Sequence, residues 1–184
     1  MAEAERTAKR SGAARQGGIG PVVSSAHLAA GALPALSEIE FGLILCGHAF
    51  HRWMVRGMAA AGVPNLSPLE VLVLHSVNHR GRAKTLADLC LVLGIEDTHL
   101  VTYAVKKLEG AGLVASGRKG KEKTVAVTAR GAAACARYHE IREALLVKAV
   151  RRVGLDEAQA SEIAMLLRAL SGHYDQAARA AASL

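Results

Sequence analysis

Two groups of residues in the middle of the chain have types and spacing suited to chemistry. The first is Thr98, His99, Thr102, Tyr103, Lys106 and Lys107. The second is Arg118, Lys119, Lys121 and Lys123, with Glu122 the sole acid among them. Hydroxyl and imidazole groups exchange hydrogen bonds with base edges or phosphate oxygens. Ammonium and guanidinium groups neutralise phosphates and release their counterions. The whole chain leans the same way, with 23 Lys and Arg against 16 Asp and Glu and a formal charge of +7. That excess suits a polyanionic partner and does not identify one. The sequence contains no GxSxG, P-loop, GxGxxG after a strand or HExxH. It therefore reads as a non-enzyme, with no cofactor and no metal expected.

Those residues need elements to hold them. Asp97 is placed to cap a helix from Thr98 to about Gly110. Val101, Ala104, Val105 and Leu108 share one face of it, leaving the polar group on the other. After Gly112 come two extended runs, Leu113 to Ser116 and Thr124 to Thr128, with 117–123 between them as the charged tip of a hairpin. Upstream, Thr85 caps a helix with Asp88 at its third position, and Leu86, Leu89, Cys90 and Leu93 form its apolar side until Gly94 breaks it. Ser67-Pro68-Leu69-Glu70 opens another, with Leu69, Leu72, Val73 and Val77 as its expected buried stripe. Asn78 to Arg82 reads as a turn.

The flanks are helical. Leu36, Ile39, Leu43, Gly47, Phe50 and Met54 recur at three- and four-residue steps, and Gly62 and Pro64 end that helix. A long helix is expected over 130–153, with Tyr138, Ile141 and Leu145 on one face. Asp156 and Gln159 then cap a last one bearing Ile163, Leu166, Leu167, Leu170 and Tyr174. The first 35 residues are rich in Ala, Gly, Ser and basic side chains, including Arg6, Lys9 and Arg10, and read as a disordered basic arm. Aromatics make up only 3% of the chain, which favours helices over a sandwich or barrel.

Helix, tight turn, helix, then a basic hairpin is the order of a winged helix-turn-helix. The major groove of B-DNA admits one α-helix, and the entering helix must bury one side while presenting polar groups on the other. The helix from Thr98 meets that requirement. The hairpin adds cations that can follow the backbone or reach an adjacent minor groove. The expected fold class is mainly α with a small β-hairpin wing, a winged helix-turn-helix with a helical dimerisation region. Its expected parts are an arm over 1–35, a dimerisation helix over 36–64, a DNA-binding domain over 65–129 and C-terminal dimerisation helices over 130–184. An amphipathic helix or a basic turn alone is ordinary surface; their order and closeness make the combination specific.

Three segments carry a resemblance. Leu86-Ala87-Asp88, Lys107 through Val114 and Val125 through Gly131 are similar to signatures of the MarR (multiple antibiotic resistance regulator) family of bacterial winged-helix transcription factors. The resemblance covers roughly residues 37 to 175. It implies an obligate homodimer whose first and last two helices interlock, a recognition helix from Asp97 and a wing from Ser116 to Thr124. It also implies a pocket for a small aromatic or phenolic acid that lowers DNA affinity, and a repressor as the commoner mode. The partner would be double-stranded DNA carrying a pseudo-palindromic operator, and the location the bacterial cytoplasm, at the nucleoid. The sequence departs from the family at Leu100, where a small polar residue is common, and at Lys119-Gly120-Lys121, where an Asp-x-Arg is usual.

Other groupings support alternatives. His48 and His51, and His75 and His79, have spacings that place two imidazoles on one helical face, so a zinc-responsive regulator is one alternative reading. No carboxylate or thiol is fixed beside them, so they read more simply as ordinary histidines. His51, Trp53, His75, Tyr138 and Arg142 are candidate ligand-binding residues, with Arg142 the partner for an anionic ligand. Cys46 and Cys90 fall on or near apolar stripes and read as small core residues. A winged helix used only to bind another protein is a further alternative; its basic hairpin argues against it. No apolar run reaches the ~18 residues of a membrane span, so no membrane partner is expected.

Overall fold

The computed structural model describes residues 20–184; Arg6, Lys9 and Arg10 lie outside the described residues. The chain divides after Trp53 into two compact units.

The described part of the first unit contains a 3-10 turn, Ala26–Ala29, and the start of helix α1 (Pro34–Ala60). Within the stretch read as an arm, residues 20–35 are thus partly ordered. Ser37 Oγ donates to the Leu28 carbonyl at 2.6 Å, and the Val22 amide donates to Glu38 Oε1 at 3.1 Å. Ile39, Leu43, Ile44, Leu45 and Phe50 of α1 are all exposed, and so is Cys46. Cys46 is thus not the core residue its position near the apolar stripe suggested.

The second unit begins with the last turns of α1, where Met54 and Met58 are buried. Next come α2 (Pro68–Asn78), a short strand β1 (Lys84–Thr85), α3 (Leu86–Leu93) and α4 (Thr98–Gly110). Strands β2 (Val114–Lys119) and β3 (Glu122–Val127) follow. Then come α5 (Ala129–Ile141), a π-helical segment (Arg142–Val147), α6 (Lys148–Arg152) and α7 (Glu157–Ala181). The sheet is antiparallel in the order β1-β3-β2.

The caps are those the side chains dictate. Ser67 with Glu70, Thr85 with Asp88, and Asp156 with Gln159 each form a reciprocal capping box. The Asp97 carboxylate accepts from the His99 amide at 2.8 Å. Gly94 ends α3 in the left-handed region, at φ 64°.

Three local expectations are corrected. The tip of the hairpin is shorter than 117–123, because β2 runs on to Lys119 and β3 starts at Glu122, joined by Gly120 and Lys121 alone. Gly120 has φ 63° at the first central position, where type II′ hairpins place glycine. Cross-strand bonding continues to the turn, overriding the low strand propensity of Gly and Lys. Thr128 belongs to no strand and instead caps α5. The stripe of α2 is centred on Val71, Val73, Leu74 and Val77, with Leu69 and Leu72 only half-buried, because α2 is packed by α4, α3, α5 and β3 together.

Candidate nucleic-acid interface

Helix α4 buries Val101, Ala104, Val105 and Leu108 almost completely. Thr98, His99, Tyr103, Lys106 and Lys107 are exposed on its other sides, and Thr102 is half-buried. At 100° per residue, His99, Tyr103 and Lys106 form the line most opposed to the buried face. The Thr102 hydroxyl donates to the Thr98 carbonyl at 2.9 Å, leaving its lone pairs for a second partner.

Lys107 differs from its neighbour Lys106. Its Nζ lies 3.1 Å from Glu70 Oε1, whose side chain is 4% exposed. The other carboxylate oxygen of Glu70 accepts from the Ser67 amide at 2.8 Å. One buried carboxylate thus caps α2 and ties α4 to it. Lys107, expected as a DNA contact, has this partner in place.

The wing carries Arg118, Lys119, Lys121 and Lys123, all exposed. Arg118 stands opposite Lys123 across the hairpin, a like-charge pair that repels without an anion nearby. Lys119 stands opposite Glu122. Arg118, Lys119 and Lys123 project from paired strands and Lys121 from the tight turn that joins them, which costs less ordering on contact than a loose loop would.

The wing is braced at its base. Thr128 Oγ1 donates at 2.8 Å to the Gly112 carbonyl and accepts from the Gly131 amide at 3.1 Å. The Thr128 amide donates to the Leu113 carbonyl at 3.1 Å. A Cβ at Gly131 would collide with the Leu113 carbonyl oxygen, so only glycine lets α5 start this close. The turn between α2 and β1 is held by Lys84, a residue that sequence reasoning did not single out. Its buried Nζ donates to the His79 and Arg82 carbonyls at 2.7 and 2.9 Å. Burial, followed by the nearby Arg82 charge, lowers its pKa from the usual lysine value.

Residues 66–131 match the winged helix DNA-binding domain family, which covers the interface just described. No curated protein matches the chain in sequence. Among solved structures, a MarR family regulator from Neisseria meningitidis aligns with a TM-score of 0.61 and 16% identity, over 78% of this chain and 95% of that one. This protein has the MarR-type winged-helix fold. A MarR transcriptional regulator from Methanosarcina mazei Go1 aligns with a TM-score of 0.59 and 15% identity, over 75% and 90% of the two chains. CouR from Rhodococcus jostii RHA1, solved bound to p-coumaroyl-CoA, aligns with a TM-score of 0.57 and 17% identity, over 72% and 90%.

The candidate ligand residues are distributed as follows. His75 and Tyr138 meet, with ring centroids 4.7 Å apart and planes tilted by 59°. His75 Nε2 is buried and has no hydrogen-bond partner, and desolvation lowers the imidazole's pKa below 6.5. Arg142 begins the π-helical segment and bonds to Glu143 at 3.1 Å. His51 and Trp53 belong to the first unit, on α1. Cys90 and Cys135 are buried, and burial raises the Cys135 thiol's pKa to about 11. Among the described residues no three His, Cys, Asp or Glu side chains converge as a metal site would require, and no helix is long and apolar enough to cross a membrane.

Proposed function

We propose that this protein is a dimeric transcriptional regulator of the MarR kind, most simply a repressor released by a small aromatic acid. The observation that carries the reading is α4, with four apolar residues in the core and His99, Tyr103 and Lys106 facing solvent beside a basic, well-paired wing. Base edges are read by α4, with Thr98, His99, Thr102 and Tyr103 in reach. Lys106, Arg118, Lys119, Lys121 and Lys123 hold phosphates.

Dimerisation is supported by apolar surface. Helix α7 has 25 residues and none of them is buried, although Ile163, Met165, Leu166 and Leu167 are among them. Exposed apolar residues in such number along one helix mark a surface that another chain covers. A second copy is the economical occupant, because a symmetric dimer reads two half-sites at once. For the ligand, the support is the unpartnered His75 Nε2 beside Tyr138, which in its N–H tautomer can donate to a carboxylate or phenolate.

Selection from a random duplex library tests the reading. The expected product is a pseudo-palindrome with half-sites about 10 bp apart, bound by a dimer in light scattering. Lys121→Ala weakens every duplex alike and lowers the salt slope by about 0.9, whereas Thr102→Ala costs more on the selected site. No preference over random duplex at moderate salt refutes the proposal. Addition of p-coumarate or salicylate should raise Tm and weaken the complex; His75→Phe should abolish both effects.

A further inference from the structure

Leu100 lies in the first turn of α4 and is 51% exposed. Tyr103, one turn later, is 67% exposed. Residues three apart on a helix are surface neighbours, so the two form one apolar and aromatic step within an otherwise polar surface. Leu100 is not among the buried residues of α4, which are Val101, Ala104, Val105 and Leu108. It also sits at the helix N-terminal end, the part of a recognition helix that meets base edges.

The major groove offers one apolar group, the thymine C5-methyl. We propose that Leu100, backed by the Tyr103 ring, is a specificity-determining residue that reads a thymine methyl in each half-site. The inference rests on the DNA-binding reading above. Lys106 on the same helix and the cations of the wing suit a phosphate-flanked groove. A lone exposed leucine would need no explanation; this one stands where contact with bases decides sequence.

The test uses the full-length protein and the duplex it selects from a random library. Each thymine is replaced in turn by deoxyuridine, which removes the methyl and keeps every hydrogen-bonding group. One position per half-site should cost the wild type about fourfold in Kd, the worth of one buried methyl. Leu100→Ala should bind the thymine and deoxyuridine duplexes equally at that position, with an unchanged salt slope, and Leu100→Met should restore the difference. The inference is overturned if no thymine is methyl-sensitive in the wild type, or if Leu100→Ala keeps the full penalty. If the library yields no preferred sequence, the DNA-binding reading itself fails and takes this inference with it. Circular dichroism melting confirms that each variant is folded.

Discussion

The Glu70–Lys107 pair offers a sharp test, because two lysines adjacent in sequence should behave differently. Glu70→Gln keeps an oxygen for the Ser67 amide and removes only the charge, whereas Glu70→Ala also removes the acceptor of the Ser67 amide and leaves the Ser67 cap itself in place. The lost hydrogen bond costs about 1 kcal/mol. The Lys107 side chain is 47% exposed, so solvent screens the ion pair, and its worth is about 0.5–1 kcal/mol despite the burial of Glu70. Glu70→Gln should therefore cost about 0.5–1 kcal/mol and Glu70→Ala about 2 kcal/mol. For a chain of this size, each kcal/mol lowers Tm by roughly 2–4 °C. A double-mutant cycle of Glu70→Gln with Lys107→Met, melted at fixed protein concentration, should return the pair energy as coupling. DNA titrations across salt supply the second readout: Lys106→Met lowers the slope by about 0.9, whereas Lys107→Met leaves it unchanged. Coupling within about 0.3 kcal/mol of zero, or an equal loss of slope from both lysines, refutes the assignment of Lys107 to positioning α4.

Three further outcomes are expected. Gly131→Ala pushes α5 off the Leu113 carbonyl and disturbs the Thr128 bonds, so it should cost about 3 kcal/mol; an unchanged denaturation midpoint contradicts that. The folded-state pKa of His75 is depressed, so the unfolded chain takes up its proton first. Its contribution is complete above pH about 6.5 and is lost as pH falls through the folded pKa; His75→Phe should flatten that limb of a stability–pH curve. Cys135, with its thiol near 11, and buried Cys90 should resist alkylation at pH 7.5 in the native state and react in denaturant; rapid native labelling of either would show the burial to be wrong.

Much of this protein was legible from neighbours along the chain. The capping pairs act within three residues, so Ser67 with Glu70, Thr85 with Asp88 and Asp156 with Gln159 could be read directly. The inner face of α4 could be read too, because a 3.6-residue period places Val101, Ala104, Val105 and Leu108 together wherever the helix packs. Tertiary packing decided what lies beyond one or two turns. It gave Glu70 a second partner in Lys107, set Gly131 against Leu113 and brought His75 to Tyr138. It also left Leu100 in solvent and buried Lys84. Local rules rank conformations by side chains a few bonds apart, whereas these contacts join segments that meet only once the core has closed.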